Sequence, residues 1–221
     1  MASQKRVGVV LSGCGFLDGT EIQEAVCTLL SLDRRGAKLV AMAPDVEQMH
    51  VVDHVKGAPA SGQARRVLEE AARIVRGTIT ELSQVSANDL DALIFPGGYG
   101  VAKNLCSFAV DGRNMRVVPA VERLARDIRA AGKPAGYVCI APVIAARLFG
   151  SEHPKLTIGN DRETAAAMES WGARHVDCKV DEIAIDERLK LVSTPAYMLG
   201  PWIAPVAAGI DKLVAAVLEM A

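Results

Sequence analysis

Paired cysteines are what this sequence most clearly lacks. Its five cysteines, Cys14, Cys27, Cys106, Cys139 and Cys178, stand far apart with no CxxC spacing. An odd, dispersed set excludes a disulfide frame and reads as reduced thiols inside a cell, so a cytoplasmic location is expected. Aromatic residues are 4% of the 221, too few for the stacking platforms that hold nucleic-acid bases. Neither sign of charge dominates, since 25 Lys and Arg are interspersed with 26 Asp and Glu. That removes the electrostatic footprint of a nucleic-acid or membrane-surface partner and leaves small-molecule chemistry. The opening Met1-Ala2-Ser3-Gln4-Lys5-Arg6 leads into a short apolar run, which reads as a first strand rather than a signal peptide or membrane span. No repeat, low-complexity tract or linker interrupts residues 1–221, so a single domain is expected.

Half of the residues are hydrophobic, and their spacing alternates between two periods. Continuous apolar runs at Val7 to Leu11, Lys38 to Ala43, Ala92 to Phe95 and Ala135 to Val138 predict strands buried on both faces. Between them, helical spacing predicts a helix after a Thr20 to Gln23 capping box, with Ile22, Val26, Leu29 and Leu30 on its core side and Gly36 ending it. Another is expected from Ser61 to Gly77, one from Pro119 to Gly132 and one beginning at Pro142. Asp45 to Gly57 suggests a short hairpin, and Leu156 to Ile158 a strand. Asn160-Asp161 caps a helix to Trp171, Ile183 to Ile185 and Leu191 to Ser193 form two strands, and a final helix carries Val206, Ile210, Leu213, Val214, Val217 and Leu218. Strands alternating with helices predict an α/β fold, a mostly parallel sheet with helices on both faces.

In such a sheet the ligand site lies at the carboxyl ends of the strands. Three turns are expected there: Ser12 to Gly19, Pro96 to Gly100 and Val138 to Ile140. Cys139 sits between a strand and a helix opening at Pro142, the geometry of a nucleophile elbow with Cys in place of Ser. Backbone N–H groups at the helix start are expected to favour its thiolate. Gly98 and the Ile140 N–H could serve a developing oxyanion. Glu21 and Glu24, three apart, are candidate acids that the pattern does not separate. His50 and His54 lie in a Val-rich segment of weak helical character, and His175 with Cys178 is too sparse for zinc, so no metal is expected. A dinucleotide site using Gly13, Gly15, Gly19 and Asp45 fits the glycine fingerprint poorly.

Val10-Leu11-Ser12-Gly13-Cys14-Gly15, Asp18-Gly19-Thr20-Glu21-Ile22-Gln23-Glu24-Ala25, Pro96-Gly97-Gly98-Tyr99-Gly100, Lys103-Asn104-Leu105, Val138-Cys139-Ile140-Ala141-Pro142, Leu156-Thr157-Ile158-Gly159 and Thr194-Pro195-Ala196-Tyr197-Met198 together resemble the ElbB-type proteins, the isoprenoid biosynthesis proteins with an amidotransferase-like domain. The resemblance covers the whole chain. It implies a PfpI-like, class I glutamine amidotransferase-like domain of flavodoxin-like, three-layer build, and a homodimer. By that resemblance Cys139 is the elbow nucleophile and Glu24 its acid, with Gly98 and Ile140 at the oxyanion positions. It also implies a weak, cofactor-independent glyoxalase activity of the lyase class on glyoxal or a related small dicarbonyl. The wider superfamily often places a histidine directly after the cysteine; here that residue is Ile140, which cannot accept a proton. A redox sensor built on Cys139 is the alternative function.

Overall fold

The computed structural model describes residues 4–221. Its first half runs β1 (Arg6–Val10), α1 (Ile22–Arg34), β2 (Lys38–Ala43), β3 (Val52–Asp53), β4 (Ala58–Pro59), α2 (Val67–Ile74), β5 (Thr80–Glu81), β6 (Ala92–Phe95) and α3 (Phe108–Asp111). The second half runs α4 (Pro119–Ala130), β7 (Ala135–Val138), α5 (Pro142–Phe149), β8 (Lys155–Leu156), α6 (Arg162–Ser170), β9 (Arg174–His175), β10 (Ala184–Asp186), β11 (Leu191–Thr194) and α7 (Ile203–Met220).

Seven strands make the central sheet, in the order β10-β11-β7-β6-β1-β2-β5. All pairs are parallel except β10 with β11, where Ile185 faces Val192. Strands β6, β7 and β11 are buried along their whole length, as continuous apolar runs covered on both faces require. Leu124 of α4 and Ile144 of α5 pack on one face with Phe95 and Tyr137, whose rings stack 5.0 Å apart. On the other face Leu32 of α1 and Ile210 and Leu213 of α7 meet Val9 and Ile94. This is the α/β sandwich that the alternation predicts, of the flavodoxin-like build that the resemblance implies. Among the described residues no helix is long and apolar enough to cross a membrane.

Several local expectations are corrected. Ile22, Val26 and Leu30 are exposed at 44%, 47% and 45%, whereas Glu24, Ala25, Thr28, Ser31 and Leu32 form the buried face of α1. Small side chains let α1 approach α7, and its buried polar groups are satisfied. Thr28 Oγ1 donates to the Glu24 carbonyl at 2.8 Å, and Ser31 Oγ donates to Asp211 of α7 at 2.7 Å. Thr20 does not cap α1. Its hydroxyl accepts from the Ser12 N–H at 2.7 Å, while Glu21 caps the helix by accepting from the Glu24 N–H at 2.6 Å. The helix expected from Ser61 starts at Val67, because Arg66 is held extended by an antiparallel bridge to Glu47, with Gln48 N–H donating to the Arg65 carbonyl at 2.8 Å and Val67 N–H to the Val46 carbonyl at 2.9 Å. The hairpin around Asp45 to Gly57 is β3 with β4, and the segment at Leu156 pairs with β9 outside the main sheet.

A Cβ added at Gly136 in β7 would lie 2.7 Å from Leu213 Cδ2 and 3.2 Å from Val217 Cγ2. Overpacking of this kind costs about 1–3 kcal/mol. Gly136→Ala should lower the unfolding free energy in urea by that amount. Combined with Leu213→Ala, it should lower it by less than the sum of the single variants, because the truncated side chain makes room; strict additivity would contradict the contact.

Candidate active site

The three turns, two of them glycine-rich, converge at the carboxyl ends of β1, β6 and β7. Glu21 N–H donates to the Gly97 carbonyl at 2.9 Å, Gly100 N–H to Gly19 at 2.8 Å and Tyr99 N–H to Phe16 at 2.8 Å. Asn104, within an irregular turn over Val101–Leu105, ties them from below. It donates to the Ser12 and Asp18 carbonyls at 2.9 and 2.8 Å and accepts from the Met49 N–H at 3.0 Å. A lone buried amide in an otherwise apolar segment is the only signal of this role in the sequence.

Cys139 leaves β7 with φ of +60°, a left-handed conformation that non-glycine residues rarely adopt. Its own N–H donates to the Thr194 carbonyl at 2.9 Å, fixing the turn to β11. The Gly98 and Ile140 N–H groups favour a charge on the sulfur, so the two residues assigned to oxyanion contact lie on its side of the turn. Gly97 is required by close approach. A Cβ there would lie 2.4 Å from Cys139 Cβ and 2.5 Å from Glu24 Oε2.

Glu24 has no exposed surface. One carboxyl oxygen accepts from Gly97 N–H at 2.9 Å and the other from Tyr197 N–H at 3.1 Å, and Cys139 lies against the carboxyl across Gly97. Glu21, by contrast, is the helix cap. Its extended backbone takes it off the helical spacing, so it does not share a face with Glu24 and makes no bond to Cys139. The structure therefore distinguishes the two acids that the pattern left open.

Burial pushes the Glu24 carboxyl up to about 8, against the smaller opposing effect of its backbone N–H donors. Burial, then the Glu24 charge, pushes the Cys139 thiol well above its usual value, and the Gly98 and Ile140 N–H groups pull only partly against it. This corrects the expectation of a thiolate favoured by the helix start: α5 is eight residues long, and its field is outweighed by loss of water. At neutral pH the pair holds both protons, and the first leaves near pH 8.

Cys139 is 8% exposed and opens on a cavity of about 760 Å³ that Gly98, Ile140, Tyr99 and Tyr197 also line. No histidine reaches it. His54 approaches Asp18 at 3.7 Å, and His175 accepts from Ile158 N–H at 3.3 Å, its pKa lowered mainly by burial. Among the described residues no group of three or more His, Cys, Asp or Glu is arranged to hold a metal. The Gly13 to Gly19 loop is packed from inside. A Cβ at Gly13 would lie 2.7 Å from Gln48 Oε1 and one at Gly15 2.7 Å from Asp18 Oδ1, while Asp45 is engaged by Arg66. These residues do not fit a dinucleotide cradle.

No protein-family model matches the chain. It is 47% identical, over 97% of its length and 83% of the relative's, to glutamine amidotransferase-like class 1 domain-containing protein 3, mitochondrial, of Homo sapiens. The chain belongs to this family. A second member, the ES1 protein homolog, mitochondrial, of Rattus norvegicus, is 46% identical over 97% of the chain and 84% of that protein. Among solved structures, an isoprenoid biosynthesis protein with amidotransferase-like domain from Ehrlichia chaffeensis superposes with a TM-score of 0.89 at 35% identity, over 97% of this chain and 99% of that one. The glutamine amidotransferase-like class 1 assignment thus agrees with the ElbB-type resemblance. A ThiJ/PfpI domain protein from Brachyspira murdochii, with a TM-score of 0.60 at 14% identity over 99% and 98% of the two chains, shares the fold alone. The expected cytoplasmic location is corrected, because the curated relatives are named mitochondrial proteins; dispersed thiols indicate a reducing environment but do not identify a compartment.

A carboxyl whose folded pKa is raised contributes stability that is fully present below its unfolded value, about 4.3, and is lost as pH rises through the folded value, about 8. The unfolding free energy should therefore fall between about pH 5 and pH 8 by up to about 1.4 kcal/mol per unit. That contribution to the slope should vanish in Glu24→Gln, whatever the variant's absolute stability. Urea unfolding at stepped pH reads both, and an unchanged slope in the variant would contradict the buried acid.

Proposed function

We propose that this chain is a cofactor-independent glyoxalase-type enzyme, converting glyoxal or a related small dicarbonyl to a hydroxy acid through Cys139. The observation that carries the reading is a cysteine that faces a cavity and lies against a buried acid whose pKa is pushed up to about 8, with the Gly98 and Ile140 N–H groups favouring a charge on the sulfur. A group titrating near neutrality is suited to passing protons in both directions.

The steps follow from those groups. The Cys139 sulfur adds to an aldehyde carbon, forming a C–S bond while the carbonyl π pair moves onto oxygen. Gly98 and Ile140 N–H groups stabilise that oxygen, and Glu24 supplies its proton. The Glu24 carboxylate then takes the proton from the same carbon, and the released pair forms an enediolate with the neighbouring carbonyl. Returning the proton to the second carbon leaves an α-hydroxy thioester, and water cleaves it to the hydroxy acid and free Cys139. The sum is dicarbonyl plus water to hydroxy acid, with no external oxidant or reductant.

The glyoxalase III of Candida albicans shares the fold with a TM-score of 0.65 at 14% identity, covering 96% of this chain and 97% of that one. A likeness that remote supports the scaffold, so the chemical argument stands on Cys139 and Glu24. Ile140 next to the nucleophile weighs against glutamine or peptide hydrolysis, which need a base at the leaving group. A redox sensor at Cys139 is the second reading, and the raised Cys139 pKa bears on both alike, since addition and oxidation each follow the thiolate. The homodimer implied by the resemblance is part of the proposal, and sedimentation of the purified protein tests it.

Cys139→Ala should abolish glycolate formation from glyoxal, and Glu24→Gln should lower kcat by at least about 10²-fold, the range of general acid and base catalysis. Glu21→Gln should retain most of the rate. Turnover in Cys139→Ala equal to that of the unmodified protein would overturn the assignment.

A further inference from the structure

The cavity over Cys139 is far larger than a two-carbon dicarbonyl. At about 760 Å³ it falls in the range that encloses drug-sized ligands. Part of its wall is aromatic. Phe16 and Tyr99 present faces that are 48% and 54% exposed, and Phe108 adds a third ring. Glyoxal would leave these surfaces wet, whereas a ligand with an apolar body would cover them.

The charged lining of the cavity has one sign. Glu21, Asp161 and Glu163 contribute carboxylates, and no Lys, Arg or His lines it. Asp161 caps α6 by accepting from Thr164 N–H at 2.8 Å, which holds it below the usual carboxylate range and keeps it ionised. Glu21 is pushed up by burial, so Asp161 and Glu163 supply most of the field. The positive end of α6 points the same way and is answered by its own cap. Of the neighbouring cations, Arg162 pairs with Asp177 at 3.5 Å, and Lys103, outside the lining, donates to the Leu17 carbonyl at 2.7 Å with its Nζ 5.5 Å from the Tyr99 ring centre, the one positive charge against the carboxylates on this wall among the described residues.

We propose that the carbonyl compounds this site selects carry an apolar or aromatic body with a cationic or neutral end, and that anionic ones, such as α-keto acids and phosphorylated aldehydes, are disfavoured. The inference rests on Cys139 being the carbonyl nucleophile, and its test separates the two ideas. Methanethiosulfonates place a charge on the cavity without requiring turnover. The Cys139 thiolate attacks the sulfenyl sulfur, an S–S bond forms and sulfinate leaves.

Wild-type protein is labelled with the ethylammonium and the sulfonatoethyl reagents, each rate at the Cys139 peptide being read by mass spectrometry and divided by the rate with 2-mercaptoethanol. The cationic reagent should be favoured about tenfold at low salt, the lower end of electrostatic focusing by a charged cleft. The preference should shrink in high salt and approach unity in Asp161→Asn/Glu163→Gln. In parallel, phenylglyoxals with para-trimethylammonium and para-carboxylate groups are compared by kcat/KM, with the cationic compound expected to lead. Charge preference in labelling without turnover of either dicarbonyl contradicts the catalytic reading alone. Turnover with equal kcat/KM, together with equal labelling rates, contradicts the charge selection alone.

Discussion

A carboxyl group cut off from water must keep its proton or find a positive charge, and Glu24 is bonded to no cation. It meets two backbone N–H groups and a cysteine sulfur, which compensate for only part of the lost hydration. The result is an acid that stays protonated at neutral pH beside a thiol that is also hard to ionise. Neither group is reactive because of its own pKa. The proposed reactivity rests on the one proton they share once the first has left, and the rest of the site keeps them close to each other.

That arrangement explains the backbone around it. Gly97 lies so close to Cys139 and Glu24 that any side chain would separate them. At Gly98, with φ of +100°, a Cβ would lie 2.3 Å from Glu21 N and 2.5 Å from the Gly19 carbonyl oxygen, so only glycine fits beside the sulfur. Cys139 accepts the strain of a positive φ because its N–H, the Thr194 carbonyl and the flanking strands over-determine the turn. The fold keeps a buried acid on the inner face of α1, beside Ala25 and Thr28, and so gives up stability with rising pH to hold a titratable group at the site.

The layered architecture was legible in the sequence because strands buried on both faces leave continuous apolar runs and the glycine turns mark their carboxyl ends. Cys139, Gly98 and Ile140 were legible for the same reason: a strand, a turn and Pro142 define the elbow. The inner face of α1 was not. Ile22, Val26 and Leu30 form the more hydrophobic stripe, yet Glu24, Thr28 and Ser31 face inward, since small or hydrogen-bonded side chains pack more closely against α7 than branched ones. Periodicity registers greasiness, whereas this helix is oriented by polar partners contributed from Gly97, Tyr197 and Asp211, distant in sequence. Glu24 was reached through family resemblance, and its separation from Glu21 follows from a cap conformation that residue spacing does not encode. The thiol's ionisation was misjudged because a helix start is visible in a sequence while the depth of burial around it is not.

The most direct test of the shared proton is the infrared difference spectrum between the unmodified protein and Glu24→Gln. It should show at pH 7 a carbonyl stretch of a protonated, weakly solvated carboxylic acid that belongs to Glu24 and disappears with a midpoint near pH 8. A Glu24 signal that is already carboxylate at pH 7, with no protonated band above that midpoint or below it, would contradict the account.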